Sequence, residues 1–280
     1  MSSSRNGRYV AIGLMLFALF FGAGNLIFPA AMGQSAGVNI GWALLGFCIT
    51  GVGLPLLGVI AVAFSGTRDA QSLASRVHPV YGVIYTVMSY LAIGPCFAVP
   101  RTGTVSFEIA VRPFLSAETA GVELPIFLAV FFGIVYWFAS SPSKLVDRIG
   151  KVLTPALVLT LIIFIVQSFI TPMGDPQKPT VAYATPAVAA VQGVLDGYNT
   201  LDGLVSLIFG TLVVATVREA GFKNAREISR QVYKSGLLAG CMLGLIYIFV
   251  AKIGAESVTV IGMQDTGAPI LALSAQHFFG

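Results

Sequence analysis

Residues 16–29 read Leu16-Phe17-Ala18-Leu19-Phe20-Phe21-Gly22-Ala23-Gly24-Asn25-Leu26-Ile27-Phe28-Pro29. With their apolar flanks they are long enough to cross a bilayer, which takes about 20 apolar residues. Yet two glycines and an asparagine sit in the middle of the run, and a proline follows four residues later. Glycine and proline both weaken a helix, and hydrocarbon holds no water for the backbone groups that a break sets free. Irregular backbone at that depth survives only where it is buried in protein or lines a cavity. The stretch therefore predicts a first span broken near residues 22–25. A break creates two ends. The first half-helix turns carbonyl oxygens toward the gap, which suits a sodium ion. The second begins near Gly24 and Asn25, where free amides and the positive end of the helix dipole suit a carboxylate. Gly22, Ala23, Gly24 and Asn25 are candidate substrate-binding residues, and Gly22, Ala23 and Asn25 also candidate ion ligands. An unbroken helix packed closely through its glycines is the structural alternative.

Similar apolar runs recur along the whole chain. Of its 280 residues 56% are hydrophobic and 10% charged, against about a quarter charged in soluble domains. Seven spans are expected, at residues 9–31, 40–64, 79–111, 124–139, 152–170, 193–217 and 235–255. Arg5 and Arg8 before the first run resemble the start of a signal peptide, but the run is too long for a signal core and reads as a retained span. The third run is too long for one perpendicular crossing and must tilt or kink at Pro95 or Pro100. Residues 174–185, with Pro176 and Pro179, read as an external loop. Residues 218–233 read as a short amphipathic helix on the cytoplasmic surface. Gly236, Gly240 and Gly244 form a small-residue packing face on the seventh span. The segment after that span is mixed in polarity and reads as no further span.

The basic residues orient the chain. With the N-terminus in the cytoplasm, the inner segments hold Arg5, Arg8, Arg68, Arg76, Lys144, Arg148, Lys151, Arg218, Lys223, Arg226, Arg230 and Lys234. Only Arg101, Arg112, Lys178 and Lys252 fall elsewhere, a strong positive-inside bias. The net charge of +4 thus belongs to membrane topology and not to nucleic-acid binding. The expected location is a membrane that the chain crosses several times.

The sixth run has polar groups at the depth of the first break: Gly197-Tyr198-Asn199-Thr200-Leu201-Asp202-Gly203-Leu204-Val205-Ser206-Leu207-Ile208-Phe209-Gly210. A carboxylate inside an apolar segment is costly and usually functional. Repeats of five spans would place the first and sixth in corresponding positions. Tyr198, Thr200, Asp202 and Ser206 are therefore candidate substrate-binding residues, Asp202 also an ion ligand, and a second break is expected between residues 200 and 206. A structural ion pair is the other reading of Asp202, with Arg101 as its candidate partner. Arg101, Thr104 and Glu108 share one face of the third span, so an Arg101–Glu108 brace and a gating role for the pair are both open.

Other chemistry has little support. The chain has no phosphate-binding GxxxxGK[ST] loop and no HExxH motif. Cys48, Cys96 and Cys241 lie apart in apolar stretches and read as packing residues. His78 and His277 have no ligand partner at usable spacing, so no cofactor and no transition metal is expected. A channel subunit would need polar linings on several helices, whereas polar residues concentrate on spans one, three and six. A sensor or scaffold that binds an amino acid without moving it is the remaining alternative.

From Gly13 to the end, and most specifically on three pieces, the chain resembles the bacterial branched-chain amino acid transport system II carriers, the BrnQ-type leucine, isoleucine and valine:cation symporters. They are residues 20–29, Gly94-Pro95 followed by Val99-Pro100-Arg101-Thr102, and Gly197-Tyr198-Asn199-Thr200-Leu201-Asp202. The first also looks like the helix break of sodium-coupled amino acid and neurotransmitter carriers. The resemblance implies an all-α, five-plus-five inverted-repeat (leucine-transporter-like) fold in a single membrane domain. Residues 9–172 would form a complete first repeat and 193–280 the truncated start of a second. It implies symport of leucine, isoleucine or valine with sodium, the proton being the other candidate coupling ion. It places Gly22, Ala23, Gly24 and Asn25 opposite Tyr198, Thr200 and Asp202.

Overall fold

The computed structural model describes residues 8–67, 69–115, 121–140 and 154–280. Arg5, Arg68, Lys144, Arg148, Lys151 and the first two residues expected in the fifth span lie outside them. Among the described residues every regular element is helical. The first span comprises α1 (Arg8–Phe20) and α2 (Gly24–Ala36), and the second α3 (Ile40–Cys48), a π-helical turn (Ile49–Gly53) and α4 (Leu54–Ser65). A short α5 (Ala70–Ala74) leads to the third span, made of α6 (Pro79–Leu91), a π-helical turn (Ala92–Cys96) and α7 (Ala98–Ala110). Then follow α8 (Glu123–Ala139), α9 (Thr154–Ile170), α10 (Pro186–Tyr198), α11 (Asp202–Glu219), α12 (Ala225–Ile261) and α13 (Gly267–Phe279).

Three continuous helical runs are long and apolar enough to cross a membrane: Gly24–Ser65, Pro79–Phe114 and Ala225–Ile261. The pair Pro186–Tyr198 and Asp202–Glu219, bent by 46°, adds a broken one, and Tyr9–Phe20, Glu123–Ala139 and Pro155–Ile170 are shorter apolar helices. Gly24–Ser65 has 42 residues, about 63 Å of helix and twice the hydrocarbon thickness. It divides at Gly37, whose φ of 48° belongs to the region glycine enters without penalty. The large apolar side chains on the outside, among them Trp42, Leu45, Phe64, Ile134 and Trp137, and the absence of any buried residue on α8 describe a surface that faces lipid. The chain is an integral membrane protein.

Local chemistry sets the boundaries. Asp69 caps α5 by accepting from Ser72 N–H at 2.6 Å, and His78 caps α6 ahead of Pro79 at the first helical position. The third span kinks at Gly94-Pro95, where Gly94 leaves helical geometry (φ −77°, ψ −116°) and Pro95 has no N–H to give. Pro100 lies in the first turn of α7, which tolerates it. One expectation is corrected. Residues 218–233 do not make a separate surface helix: Arg218 and Glu219 end α11, and Ala225 begins α12, which runs 37 residues without interruption. The Asn224 side chain starts it by accepting from Arg226 N–H at 3.0 Å. The segment after the seventh span also folds into a helix, α13, packed on α2, α7 and α12.

The core is an interlock of four spans. The first packs along the seventh (α1 and α2 on α12), and the sixth along the second (α10 on α3, α11 on α4). Both outer contacts use the same device. Ala30-x-x-Gly33 meets Ala251-x-x-Gly254, and Ala43-x-x-Gly46 meets Ala190-x-x-Gly193. In each pair every glycine lies against the backbone carbonyl of the partner's alanine, where a Cβ would overlap it. Helices in lipid associate through such close backbone approach. Of the expected glycine face on the seventh span, Gly236 and Gly240 meet Leu56 while Gly244 faces open space.

The loops sort to two ends. Ser235 donates to Tyr9 O at 3.0 Å and Arg76 to Ser65 O at 2.7 Å, beside grooves lined by Arg218, Lys223 and Arg230. At the other end Val38 N–H donates to Gln177 O at 3.0 Å and Thr259 to Met173 O at 2.8 Å. The described basic loops and the 174–185 loop thus lie at opposite ends of the bundle.

Candidate functional site

Helix α1 stops at Phe20 and α2 starts at Gly24, so the first span breaks where its composition predicted. Asn25 holds the break together. Its side-chain Oδ1 accepts from Gly22 N–H at 2.9 Å, while Asn25 N–H donates to Gly22 O at 3.1 Å. The amides of Ala23 and Gly24 form no backbone bond. They are orphan donors of the kind every helix start presents.

The sixth span breaks at residues 199–201, at the front edge of the expected interval. The segment from Asp202 through Ser206 is helical. Leu201 makes the break with φ 70°, the one non-glycine residue at positive φ among those described. Such backbone is sparsely populated and persists where its surroundings impose it. Thr200 lends Oγ1 to the gap: it donates to Gly197 O at 2.8 Å and accepts from Asp202 N–H at 3.4 Å.

The two breaks touch. Asn25 Nδ2 donates to Asp202 Oδ2 at 2.5 Å and to the Tyr247 hydroxyl at 2.6 Å. That hydroxyl lies 3.4 Å from Asp202 Oδ2 and 3.5 Å from Gly51 O. Asn25, Asp202 and Tyr247 are all buried. Asp202 also stands in the first turn of α11, where the helix dipole favours an anion. Tyr247, on the seventh span, was not singled out from the sequence. Its signal was a lone phenol in the apolar run Leu245-Ile246-Tyr247-Ile248, since a buried tyrosine hydroxyl normally finds a partner.

Between the breaks lies a cavity of about 120 Å³. Gly22, Ala23, Gly24, Asn25, Arg101, Thr200 and Asp202 line it, together with Thr102 and an apolar wall that includes Phe20, Ile93, Val205 and Phe209. A second, more apolar cavity of about 380 Å³ adjoins it across Gly22, Ala23 and Thr102, lined also by Phe21, Val105 and Leu157. Two of the sequence-picked residues stand elsewhere. Tyr198 is 49% exposed and lines neither cavity. Ser206 is buried against Gly58 of α4 and donates to Gly203 O at 2.7 Å.

Arg101 comes from the first turn of α7. Its Nη1 donates to Asn199 O at 3.0 Å and its Nη2 to Thr200 O at 3.4 Å, so it caps carbonyls released by the sixth-span break. Its Cζ lies 5.2 Å from the Phe28 ring centroid. The expected brace to Glu108 does not form, and no ion pair joins Arg101 to Asp202. Lys252–Glu256 is the ion pair seen among the described residues.

A bundle of apolar helices whose first and sixth spans both break, with buried polar groups meeting between the breaks, defines a polytopic membrane protein with a candidate site at mid-depth. The chain belongs to the family of branched-chain amino acid transport proteins, whose profile matches residues 5–280. It is 47% identical over 272 residues to the branched-chain amino acid permease BraB of Bacillus subtilis, covering 97% of this chain and 60% of that protein. It is 44% identical to the branched-chain amino acid permease BrnQ of the same organism, over 100% of this chain and 63% of the relative. To the branched-chain amino acid transport system 2 carrier protein of Pseudomonas aeruginosa it is 39% identical, over 97% and 61%. The chain thus spans about three fifths of the length of these relatives. No solved structure matches it.

Proposed function

We propose that this chain carries the substrate and ion site of a secondary transporter that moves leucine, isoleucine or valine together with sodium across the bacterial plasma membrane. The observation behind this reading is the meeting of two helix breaks at one cavity, sealed by Asn25 and Asp202. In the proposed arrangement the substrate carboxylate meets the free amides of Ala23 and Gly24. Its branched side chain faces Phe20, Ile93, Val205 and Phe209. Sodium takes oxygens at the end of α1, with Asn25 and Asp202 beside it. A hard cation prefers such oxygen donors. Thr200 shapes the break in the sixth span, and Tyr198 stands at the outer approach to it.

The interlock of first with seventh and second with sixth spans supports a reading as two inverted five-helix repeats, since exchanging spans one and two for six and seven reproduces the same pairs. Residues 9–172 form the first repeat in this reading and 193–280 the start of the second. Transport proceeds by alternating access around the breaks, with the N-terminus in the cytoplasm.

Equilibrium binding of leucine to the purified chain, with and without sodium, tests the proposal. Saturable binding strengthened by sodium is expected. Absence of leucine binding in both conditions would overturn it. Binding without uptake in proteoliposomes would favour the non-transporting, amino-acid-binding alternative.

A further inference from the structure

We infer that the Arg101 guanidinium is the charged receptor for the substrate carboxylate, sharing it with the free amides of Ala23 and Gly24. The inference rests on the amino-acid-binding reading above. An arginine inside the bilayer is costly, and this one makes no direct ion pair, feeling the Asp202 carboxylate only from a distance. Instead one edge of its plane is held by the Asn199 and Thr200 carbonyls, and the Phe28 ring lies beside it. A guanidinium carries five N–H donors in a fixed fork, so the two carbonyls leave several unused at the cavity wall.

The space in front of it is kept free. A Cβ on Gly24 would lie 3.0 Å from Nη2 and 3.2 Å from Cζ. The glycine therefore leaves room beside the guanidinium and next to the unbonded amides of Ala23 and Gly24. Arg101 and Asp202 line the same cavity without a salt bridge, and Asn25 and Tyr247 both bond Oδ2 of the Asp202 carboxylate. One cation and one carboxylate, held apart on rigid supports, fit a zwitterion. The anionic end of that zwitterion goes to Arg101, whose planar fork matches a carboxylate as a lysine does not.

The test is calorimetric binding of leucine and of leucinamide, which lacks the carboxylate, to the full chain in detergent. The unaltered chain is compared with R101Q and R101K. The unaltered chain is expected to prefer leucine. R101Q should weaken leucine binding about tenfold or more, the order of a lost charge-assisted bidentate contact, and leave leucinamide within about twofold. R101K should fall between, keeping the charge and losing the fork. Leucine binding unchanged in R101Q would overturn the inference. So would an equal loss of both ligands in R101Q and R101K, the signature of a brace for the sixth-span break. No leucine binding by the unaltered chain would instead overturn the proposed function, and this inference with it.

Discussion

The Asn25 side-chain amide donates to the Asp202 carboxylate at 2.5 Å across 177 residues of sequence, and this one bond joins the broken first span to the broken sixth. Each partner also serves its own break. Asn25 closes the first through Gly22 N–H, and Asp202 opens α11.

Asp202→Asn keeps the size of the side chain and removes the charge. A carboxylate at mid-membrane costs about 2.5–3.5 kcal/mol on insertion scales, so the variant should reach the membrane at least as abundantly. Sodium should no longer strengthen leucine binding. Sodium titrations of leucine binding, scored beside membrane abundance, measure both, and unchanged sodium dependence would reduce Asp202 to a structural role.

Asn25→Ala removes the acceptor for Gly22 N–H and the donor to Asp202 and Tyr247. Buried groups left without partners cost about 1–3 kcal/mol each. The variant should lose thermal stability and sodium dependence together. Tyr247→Phe is the milder companion: it deletes the hydroxyl and keeps the ring packed edge-on to Phe47, 4.9 Å between centroids. A loss of about 1 kcal/mol in stability is expected, with weaker leucine binding, both read by ligand-dependent thermal shift.

Gly24→Val places a branched side chain beside the Arg101 guanidinium. Leucine binding should vanish while the protein still inserts, because a flexible arginine tip can yield where backbone cannot. Gly33→Val is the contrasting case. Its Cβ would overlap the Ala251 carbonyl on α12, and overpacking typically costs 1–3 kcal/mol or more, so abundance and thermal stability should fall. Gly244→Ala faces open space and should behave as the parent. Equal behaviour of Gly33→Val and Gly244→Ala in a detergent melting assay would refute the close-packing account of the interlock.

Topology is open to chemical labelling. In a background lacking Cys48, Cys96 and Cys241, Lys178→Cys should react with an impermeant thiol reagent from outside intact cells. Lys223→Cys should react only after permeabilisation, since the basic ends of spans lie inside. The reverse pattern would invert the orientation.

The break in the first span was legible because Gly22, Gly24 and Asn25 are locally incompatible with an uninterrupted helix in hydrocarbon. The sixth break was harder to place. It was expected anywhere between residues 200 and 206, yet Gly203 sits inside α11, where a Cβ would press on Leu54. The chain bends by 46° about Leu201 instead, in a conformation leucine does not choose by itself. The spacing of Arg101 and Glu108 suggested a brace, but seven residues of helix separate them by about 10 Å, and Arg101 in the first turn of α7 reaches the released carbonyls first.

Hydropathy, glycine and proline placement and capping residues act over one or two turns, so the sequence by itself determined the helices, their membrane setting and the existence of a mid-depth break. Tertiary structure decided which groups meet. The Ala-x-x-Gly contacts bring first to seventh and second to sixth spans, and that packing sets Tyr247 against Asn25, 222 residues away, while the seating of the third span sets Arg101 against Asn199, 98 residues away. Their meeting depends on the register of helices held by backbone close approach, a property of the packed bundle that no single segment encodes.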